Sequence, residues 1–133
     1  MAMMVRIFFH YNRLKVKLNG NLYDIERYTD PLISFNKWCH IYVNIYACNN
    51  MKVYINGLER SLNDSSDTNT AYQIPTNPLT VGKSFMGKMD DVRVYDAALS
   101  SSQIKQNYIA GLESLLAKGL ISEDEFKQRL AGF

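Results

Sequence analysis

Apolar and polar residues alternate along most of the first hundred positions, and this pattern changes near residue 99. A period of two is typical of strands with one buried face, whereas a period of 3.6 is typical of amphipathic helices. We therefore predict a mostly β chain, with a β-rich domain over residues 1–99. Residues 100–133 are predicted to form a C-terminal helical tail.

The first predicted hairpin spans residues 13–26 and turns at Asn19-Gly20. Asn-Gly between alternating strands favours a type I′ turn, because both central positions of that turn take a positive φ. A two-residue loop then places Val16 opposite Tyr23. The same register sets apolar pairs on one face and opposite charges on the other, which stabilises a strand pair.

The second predicted hairpin has one strand that includes residues 38–46, a three-residue loop at 48–50 with Asn50 in the left-handed conformation, and a second strand at 51–55. Its register places Val43 opposite Ile55 in the core. The other face of this hairpin is rich in rings and amides. It carries Trp38, His40, Tyr42, Asn44, Tyr46 and Tyr54.

Four further segments complete the predicted β-rich domain. Asn56-Gly57 marks a turn, and residues 61–70 form a loop because their composition is almost entirely polar. Residues 79–82 and 88–95 are each predicted to form a strand.

The first predicted helix runs from about residue 101 to residue 118. Ser100 with Gln103 forms a capping box at its start, and Gly119 followed by Leu120 predicts a Schellman motif at its end. An apolar stripe with helical spacing gives it one buried face. The stripe consists of Ile104, Tyr108, Leu112, Leu115 and Leu116.

The second predicted helix runs from residue 123 to about residue 129. Ser122 with Glu125 is a further capping box, and acidic residues at the start complement the helix dipole. Phe126 and Leu130 lie one turn apart and give this helix an apolar contact surface.

The charge balance of the chain excludes some partners. The chain has 15 Lys and Arg residues against 13 Asp and Glu, which gives a formal net charge of +2. Nucleic acid binding requires a clustered basic surface, and the basic residues here are scattered. No apolar run approaches the ~18 residues of a membrane span. We expect neither a nucleic acid partner nor a membrane span.

Five short motifs follow one another in order between residues 37 and 109. They are Trp-x-His at 38–40, Tyr-x-Asn-Gly at 54–57, Thr-x-Gly at 80–82, Gly-x-x-Asp at 87–90 and Leu-Ser-x-x-x-Ile at 99–104. Each motif is weak by itself, but their order resembles that of laminin G-like domains, which have the concanavalin A-like lectin jelly roll.

The resemblance implies a two-sheet antiparallel β-sandwich over residues 1–99. It also implies glycan or protein ligands, calcium as a frequent cofactor, and an extracellular or surface location, although no signal peptide is visible in the sequence. A complete jelly roll of this type begins with further strands. We therefore expect a partial sandwich, which is a fragment, a reduced version, or one completed by a partner.

The tail has a resemblance of its own. Residues 115–126 are similar to the short helical segment at the C-terminus of many bacterial proteins. The resemblance implies that the tail is an interaction or oligomerisation element.

Trp38, Tyr42 and Tyr54 are the candidate ligand-binding residues. Apolar sugar faces stack on aromatic rings, and tyrosine and tryptophan also offer a polar group at the ring edge. The alternative interpretation is that these rings pack under a second sheet or under the first predicted helix.

Asp64, Asp67 and Asn69 are the candidate metal ligands. Their hard oxygen atoms at short spacing are the type that calcium prefers. The segment lacks the glycine and the distal glutamate of an EF-hand loop, so a solvated loop is the alternative interpretation.

The favoured function is a non-catalytic lectin-like module that binds a glycan or protein ligand. A structural subunit of a surface, filament or virion assembly is the alternative, in which the chain self-associates. A glucanase-like hydrolase is a weaker alternative, for which Asp90 and Asp91 are the candidate carboxylates. Neighbours on one strand point to opposite faces, so we do not expect them to act as a pair. Asp90 is instead expected to accept hydrogen bonds from the backbone or from Arg93.

Overall fold

In the computed structural model, the described strands precede the described helices along the chain. The structure describes residues 4–10, 13–19, 24–29, 34, 36–47, 50–67 and 85–133. The strand predicted at 79–82 lies outside these residues, as do Asn69 and the turn at Gly20.

The described strands form two antiparallel sheets. In chain order they are β1 (Met4–His10), β2 (Arg13–Asn19), β3 (Asp24–Tyr28), β4 (Ile41–Ala47), β5 (Asn50–Ile55), β6 (Leu58–Arg60) and β7 (Asn63–Asp67). The first sheet has the order β1-β2-β3-β7, and the second has the order β4-β5-β6. The predicted antiparallel β organisation is therefore confirmed, and the packing of the two sheets into a partial sandwich stays a prediction.

The hairpin of β2 and β3 forms, but its predicted register is wrong. Val16 lies opposite Arg27 rather than Tyr23, and Lys17 lies opposite Glu26. The shift amounts to four residues, so the loop between Asn19 and Asp24 is longer than two residues. An even shift keeps the apolar and charged residues in alternation, so the alternation that predicted the pairing did not distinguish between registers.

Two strands of the first sheet were not predicted. β1 pairs along its whole length with β2, with Val5 opposite Leu18. β7 falls within the segment predicted as a polar loop, and that prediction is wrong for Asn63–Asp67 because this segment pairs with β3. Polar residues have low β propensity, yet pairing with an existing strand overrides propensity.

The hairpin of β4 and β5 is confirmed with a corrected register. Val43 lies opposite Val53 rather than Ile55, and the register shifts at Tyr46, where β4 carries a bulge. Asn50 is the first residue of β5 and does not take the predicted left-handed conformation. The bulge was not predicted, because Tyr46 continues the regular alternation of the strand.

One face of the second sheet forms an apolar core. Met51, Val53 and Ile55 are buried there, as the alternation along β5 predicts. The partly buried side chains packed against them come from β4, from the segment before it and from the connection to β7. They are Cys39, Ile41, Val43, Ile45 and Leu62.

The turn between β5 and β6 is the one predicted at Asn56-Gly57. Asn56 has φ 52° and Gly57 has φ 78°, as a type I′ turn requires. A Cβ atom on Gly57 would lie 2.8 Å from the Phe133 ring and 3.0 Å from the Tyr108 ring. Glycine is therefore required here both by the backbone conformation and by the close approach of the tail.

Residues 88–95 do not form the predicted strand. They are exposed and have no ladder to any strand in the part of the chain that the structure describes. Asp91 has φ 54°, a left-handed conformation that interrupts an extended run. Alternation alone predicted the strand, but a strand also requires a neighbour to which its backbone can bond.

The predicted first helix is confirmed as α1 (Ser101–Ala117), including both of its ends. Ser100 and Gln103 form the reciprocal capping box. At the other end Gly119 N–H donates to the Leu116 carbonyl over 3.0 Å, and Leu120 N–H donates to the Leu115 carbonyl over 2.9 Å. These two bonds define the Schellman motif.

The second helix is α2 (Glu123–Leu130), and its predicted capping box is half formed. Ser122 Oγ accepts from the Glu125 N–H over 3.1 Å. The Glu125 carboxylate does not return to the cap, because it binds Arg129 over 2.6 Å.

The two helices and Trp38 enclose a second apolar cluster. Tyr108 and Leu112 of α1 are buried with Ile121 of the interhelical turn, and Phe126 and Leu130 of α2 pack against them. The predicted stripe of α1 is therefore the face that docks. Within the described residues, the structure has no helix with the length and apolar character to cross a membrane.

Candidate functional site

The face of the second sheet opposite its core is built from rings and amides. Alternation along β4 and β5 places Tyr42, Asn44 and Tyr54 on this face. Tyr42 lies opposite Tyr54, and their rings meet edge to face with centroids 6.4 Å apart. Edge-to-face contacts of this kind are favourable and hold both rings in fixed orientations.

Trp38 belongs to the docked tail rather than to this face. Its half-buried ring packs against the cluster of Tyr108, Leu112 and Ile121. Its backbone carbonyl accepts a hydrogen bond of 2.8 Å from the Arg129 guanidinium. These contacts favour the packing interpretation for Trp38, and its role in ligand binding stays a prediction.

Tyr54 lies beneath the surface, with only 3% of the residue exposed. Its hydroxyl donates to Glu59 over 3.3 Å, and Glu59 also binds Lys52 over 3.2 Å. Burial raises the pKa of Tyr54, and the nearby Glu59 charge acts in the same direction. Tyr54 therefore supports neighbouring groups and offers little ring surface to a ligand.

The exposed rings on this face are Tyr46 and Tyr95, which are 50% and 40% exposed. Tyr95 lies beside Tyr42, with ring centroids 6.0 Å apart. We call Tyr42, Tyr46 and Tyr95 the tyrosine surface. Sequence reasoning placed Tyr46 on this face without selecting it, and it missed Tyr95. No local signal connects Tyr95 to Tyr42, because their contact joins distant parts of the chain.

A hydrogen-bonded network fixes the tyrosine surface from below. Buried Asn44 donates from Nδ2 to the Leu99 carbonyl over 3.0 Å and to Tyr46 Oη over 3.2 Å. The Leu99 N–H donates to Tyr42 Oη over 3.4 Å. Tyr42 Oη is the acceptor in this bond, so the bond does not use the hydroxyl proton of Tyr42. Burial raises the pKa of Tyr42, which keeps that proton in place at neutral pH.

Asp90 and Asp91 lie on one groove, so the expectation that they face opposite sides is wrong. The rule for strands does not apply, because this segment is not a strand and Asp91 is left-handed. Asp90 accepts from Lys118 over 2.7 Å and from the Asp91 N–H over 3.0 Å. The bond from the Asp91 N–H is the backbone bond expected for Asp90, whereas Arg93, the other expected donor, binds Asp91 over 2.7 Å. The hydrogen bond from Lys118 lowers the pKa of Asp90.

The two candidate calcium ligands that the structure describes lie on a strand rather than on a loop. Asp64 and Asp67 belong to β7, where three residues of extended chain separate their Cα atoms by roughly 10 Å. A calcium ion needs its oxygen ligands at about 2.3–2.6 Å from one centre. The described residues hold no group of three or more His, Cys, Asp or Glu that fits a metal ion. Calcium binding therefore stays a prediction.

A comparison with known protein families identifies the superfamily of this chain. A laminin G family model, described as the concanavalin A-like lectin/glucanases superfamily, matches residues 4–105. The chain belongs to this superfamily. The match begins well before residue 37, where the recognisable motifs begin, and it includes β1, β2 and β3. Searches of curated proteins and of solved structures found no match.

The antiparallel sheets agree with membership in the concanavalin A-like superfamily, and the matched residues include the whole tyrosine surface. All of β4 and β5 and the segment that carries Tyr95 lie inside the matched residues. The match ends within α1, so most of the helical tail lies outside it. The superfamily contains lectins and glucanases alike, so membership does not choose between binding and catalysis.

Proposed function

We propose that this protein is a non-catalytic lectin-like module that binds a glycan at the tyrosine surface. The observation that supports the proposal is the exposed ring of Tyr95 against Tyr42, with exposed Tyr46 held on the same face through Asn44. Rings supply flat apolar area with little conformational entropy to lose, and their hydroxyls supply hydrogen bonds at the edge. This combination suits a sugar, which has apolar C–H faces and polar rims.

The polar neighbours of the tyrosine surface match the needs of sugar hydroxyls. Lys52 and Glu59 form an exposed ion pair, which offers both a donor and an acceptor. Tyr42 Oη accepts from the Leu99 N–H, and this bond does not use the hydroxyl proton of Tyr42. Donors and acceptors next to exposed rings are the few fixed polar groups that orient a ligand in a binding site.

The state of the carboxylates supports binding rather than glycoside hydrolysis. A general acid of a glycosidase needs a raised pKa, so that it holds a proton at the working pH. Lys118 instead lowers the pKa of Asp90, and Arg93 forms an ion pair with Asp91. Lys118 therefore favours the charged form of Asp90, and both candidate carboxylates are engaged in ion pairs.

A glycan array tests this proposal directly. The purified protein is applied with calcium and again with a chelator, and the strongest neutral glycan is titrated against variants. Tyr95→Ala and Tyr46→Ala should each weaken binding by about tenfold, which is about 1.4 kcal/mol. Tyr95→Phe keeps the ring and serves as the matched control, so it should bind more tightly than Tyr95→Ala. The absence of binding to any glycan, or equal binding by all variants, contradicts the proposal.

A second candidate function is that of a subunit in an assembly of identical chains. The segment before α1 favours it, because Met86 is 97% exposed and Val94 is 74% exposed. Exposed apolar side chains on a short stretch are typical of association surfaces. Light scattering over a range of concentrations checks this candidate. Association that Val94→Asp abolishes supports it, and a monomer at every concentration contradicts it.

A further inference from the structure

A polar groove lies between residues 90–93 and the C-terminal half of α1. Its volume is about 300 Å³, at the lower end of the range for small-ligand sites. The ion pair of Lys118 with Asp90, at 2.7 Å, joins its two sides. No part of the tyrosine surface belongs to its lining.

The groove presents balanced charges and neutral polar groups. Asp90 and Asp91 are matched by Lys118 and Arg93, each acid being bonded to a base. An amide and a hydroxyl complete the set, from Asn107 and Ser114. An anion would require excess positive charge, and a metal ion would require converging free carboxylates. Balanced donors and acceptors suit a neutral polyhydroxy ligand.

Gly111 leaves the helical side of the groove open. A Cβ atom built on Gly111 would meet no atom within 4 Å. Neither packing nor a positive φ therefore requires glycine at this position in α1. Glycine in a helix interior costs about 1 kcal/mol relative to alanine. Its effect at this position is to keep a side chain out of the groove.

Arg93 connects the groove to the tyrosine surface. Its guanidinium binds Asp91 over 2.7 Å, and its side chain also interacts with Tyr95. Asp91 and Tyr95 lie four residues apart, so extended chain separates them by at most about 13 Å. The rings and the groove are therefore close enough for one short oligosaccharide to reach both.

We propose that the groove is a second subsite for an elongated neutral glycan whose other end stacks on the tyrosine surface. The inference rests on the proposed function, because it extends the same binding site. Sugar units beyond the first would form hydrogen bonds with Asn107, Ser114 and the paired charges. The protein would then prefer oligosaccharides over monosaccharides.

Calorimetric titration with neutral gluco- and manno-oligosaccharides of increasing length tests the subsite. Gly111→Met places a flexible side chain in the groove while favouring the helix. It should weaken binding of the longer oligosaccharides by about tenfold, or about 1.4 kcal/mol, and leave the shortest bound ligand unchanged. Gly111→Ala is the matched control, since a methyl group stabilises the helix without filling the groove. Asn107→Ala with Ser114→Ala removes the polar groups and should have the same length-dependent effect.

The outcomes separate the two proposals. Tyr95→Ala should weaken binding at every length, whereas the groove variants should affect only the longer ligands. Unchanged binding of all lengths by folded Gly111→Met, together with a loss in Tyr95→Ala, overturns the second subsite and leaves the proposed function standing. No binding of any oligosaccharide by the unaltered protein overturns the second subsite, and it overturns the proposed function as well if the glycan array is also negative.

Discussion

The two faces of the second sheet use the same strands for different physical purposes. On one face Met51, Val53 and Ile55 are buried among apolar neighbours. On the other, Asn44 and Tyr42 are bonded to the backbone of Leu99. Apolar packing is strong and non-directional, whereas hydrogen bonds are weaker and fix positions. One face therefore stabilises the hairpin, and the other orients the groups that could meet a ligand.

The largest expected effect is on the apolar face. Ile55→Ala leaves a cavity beside Val53 and should lower the free energy of unfolding by about 2–5 kcal/mol. Denaturant unfolding measures this loss. Leu58→Ala, at an exposed position across the same turn, is the control and should change stability by less than about 0.5 kcal/mol. Equal losses in the two variants would contradict the assignment of the core.

An intermediate effect is expected on the face with the hydrogen bonds. Asn44→Ala removes the donor to Leu99 and to Tyr46, so the free energy of unfolding should fall by about 1–3 kcal/mol. Glycan affinity should fall as well, because Tyr46 loses its support. Gln106→Ala removes an exposed amide from α1 and should change neither quantity. A stability loss without an affinity loss would break the link between this network and the tyrosine surface.

The smallest expected effect depends on pH. Burial lowers the pKa of His40 below 6.5 and outweighs the opposing effect of Asp91. The unfolded chain therefore binds a proton more readily than the folded protein, and stability falls as the pH drops below about 6.5. Melting temperatures at pH 7.5 and pH 5.0 measure this fall, which should be smaller in His40→Gln. The lowered pKa of Asp90 acts only at more acidic pH, so it does not enter this window.

The tail was predictable because its signals are local. The cap at Ser100 and the end at Gly119 depend on neighbours a few residues away, and both formed as predicted. The second predicted capping box, at Ser122, is only half formed, because the Glu125 carboxylate binds Arg129 instead of the backbone of the cap. Short-range hydrogen bonding is thus well determined by residue type and spacing.

The sheets were less predictable because strand pairing is not local. Alternation identified β2, β4 and β5, but an even shift of register preserves alternation, so it misplaced Val16 and Val43. It also gave no sign that polar Asn63–Asp67 would join β3.

The candidate site shows the same limit. Tyr42 was selected from its strand and does lie on the tyrosine surface. Tyr54 was also selected from its strand, yet it lies below that surface. The inclusion of Tyr95 depends on a contact across the chain that periodicity does not contain.

Leu99, directly before the cap of α1, is hydrogen-bonded to β4 through both of its backbone groups. Its N–H donates to Tyr42 Oη, and its carbonyl accepts from Asn44. The start of α1 is therefore fixed to the sheet in rotation as well as in position. Each residue of an α-helix turns the next by about 100°. One residue inserted between Leu99 and Ser100 would leave the helix and its cap intact while turning Ile104, Tyr108 and Leu112 out of their buried positions. The spacing from Tyr42 to the tail thus sets the rotational phase of α1, independently of how well the helix itself forms.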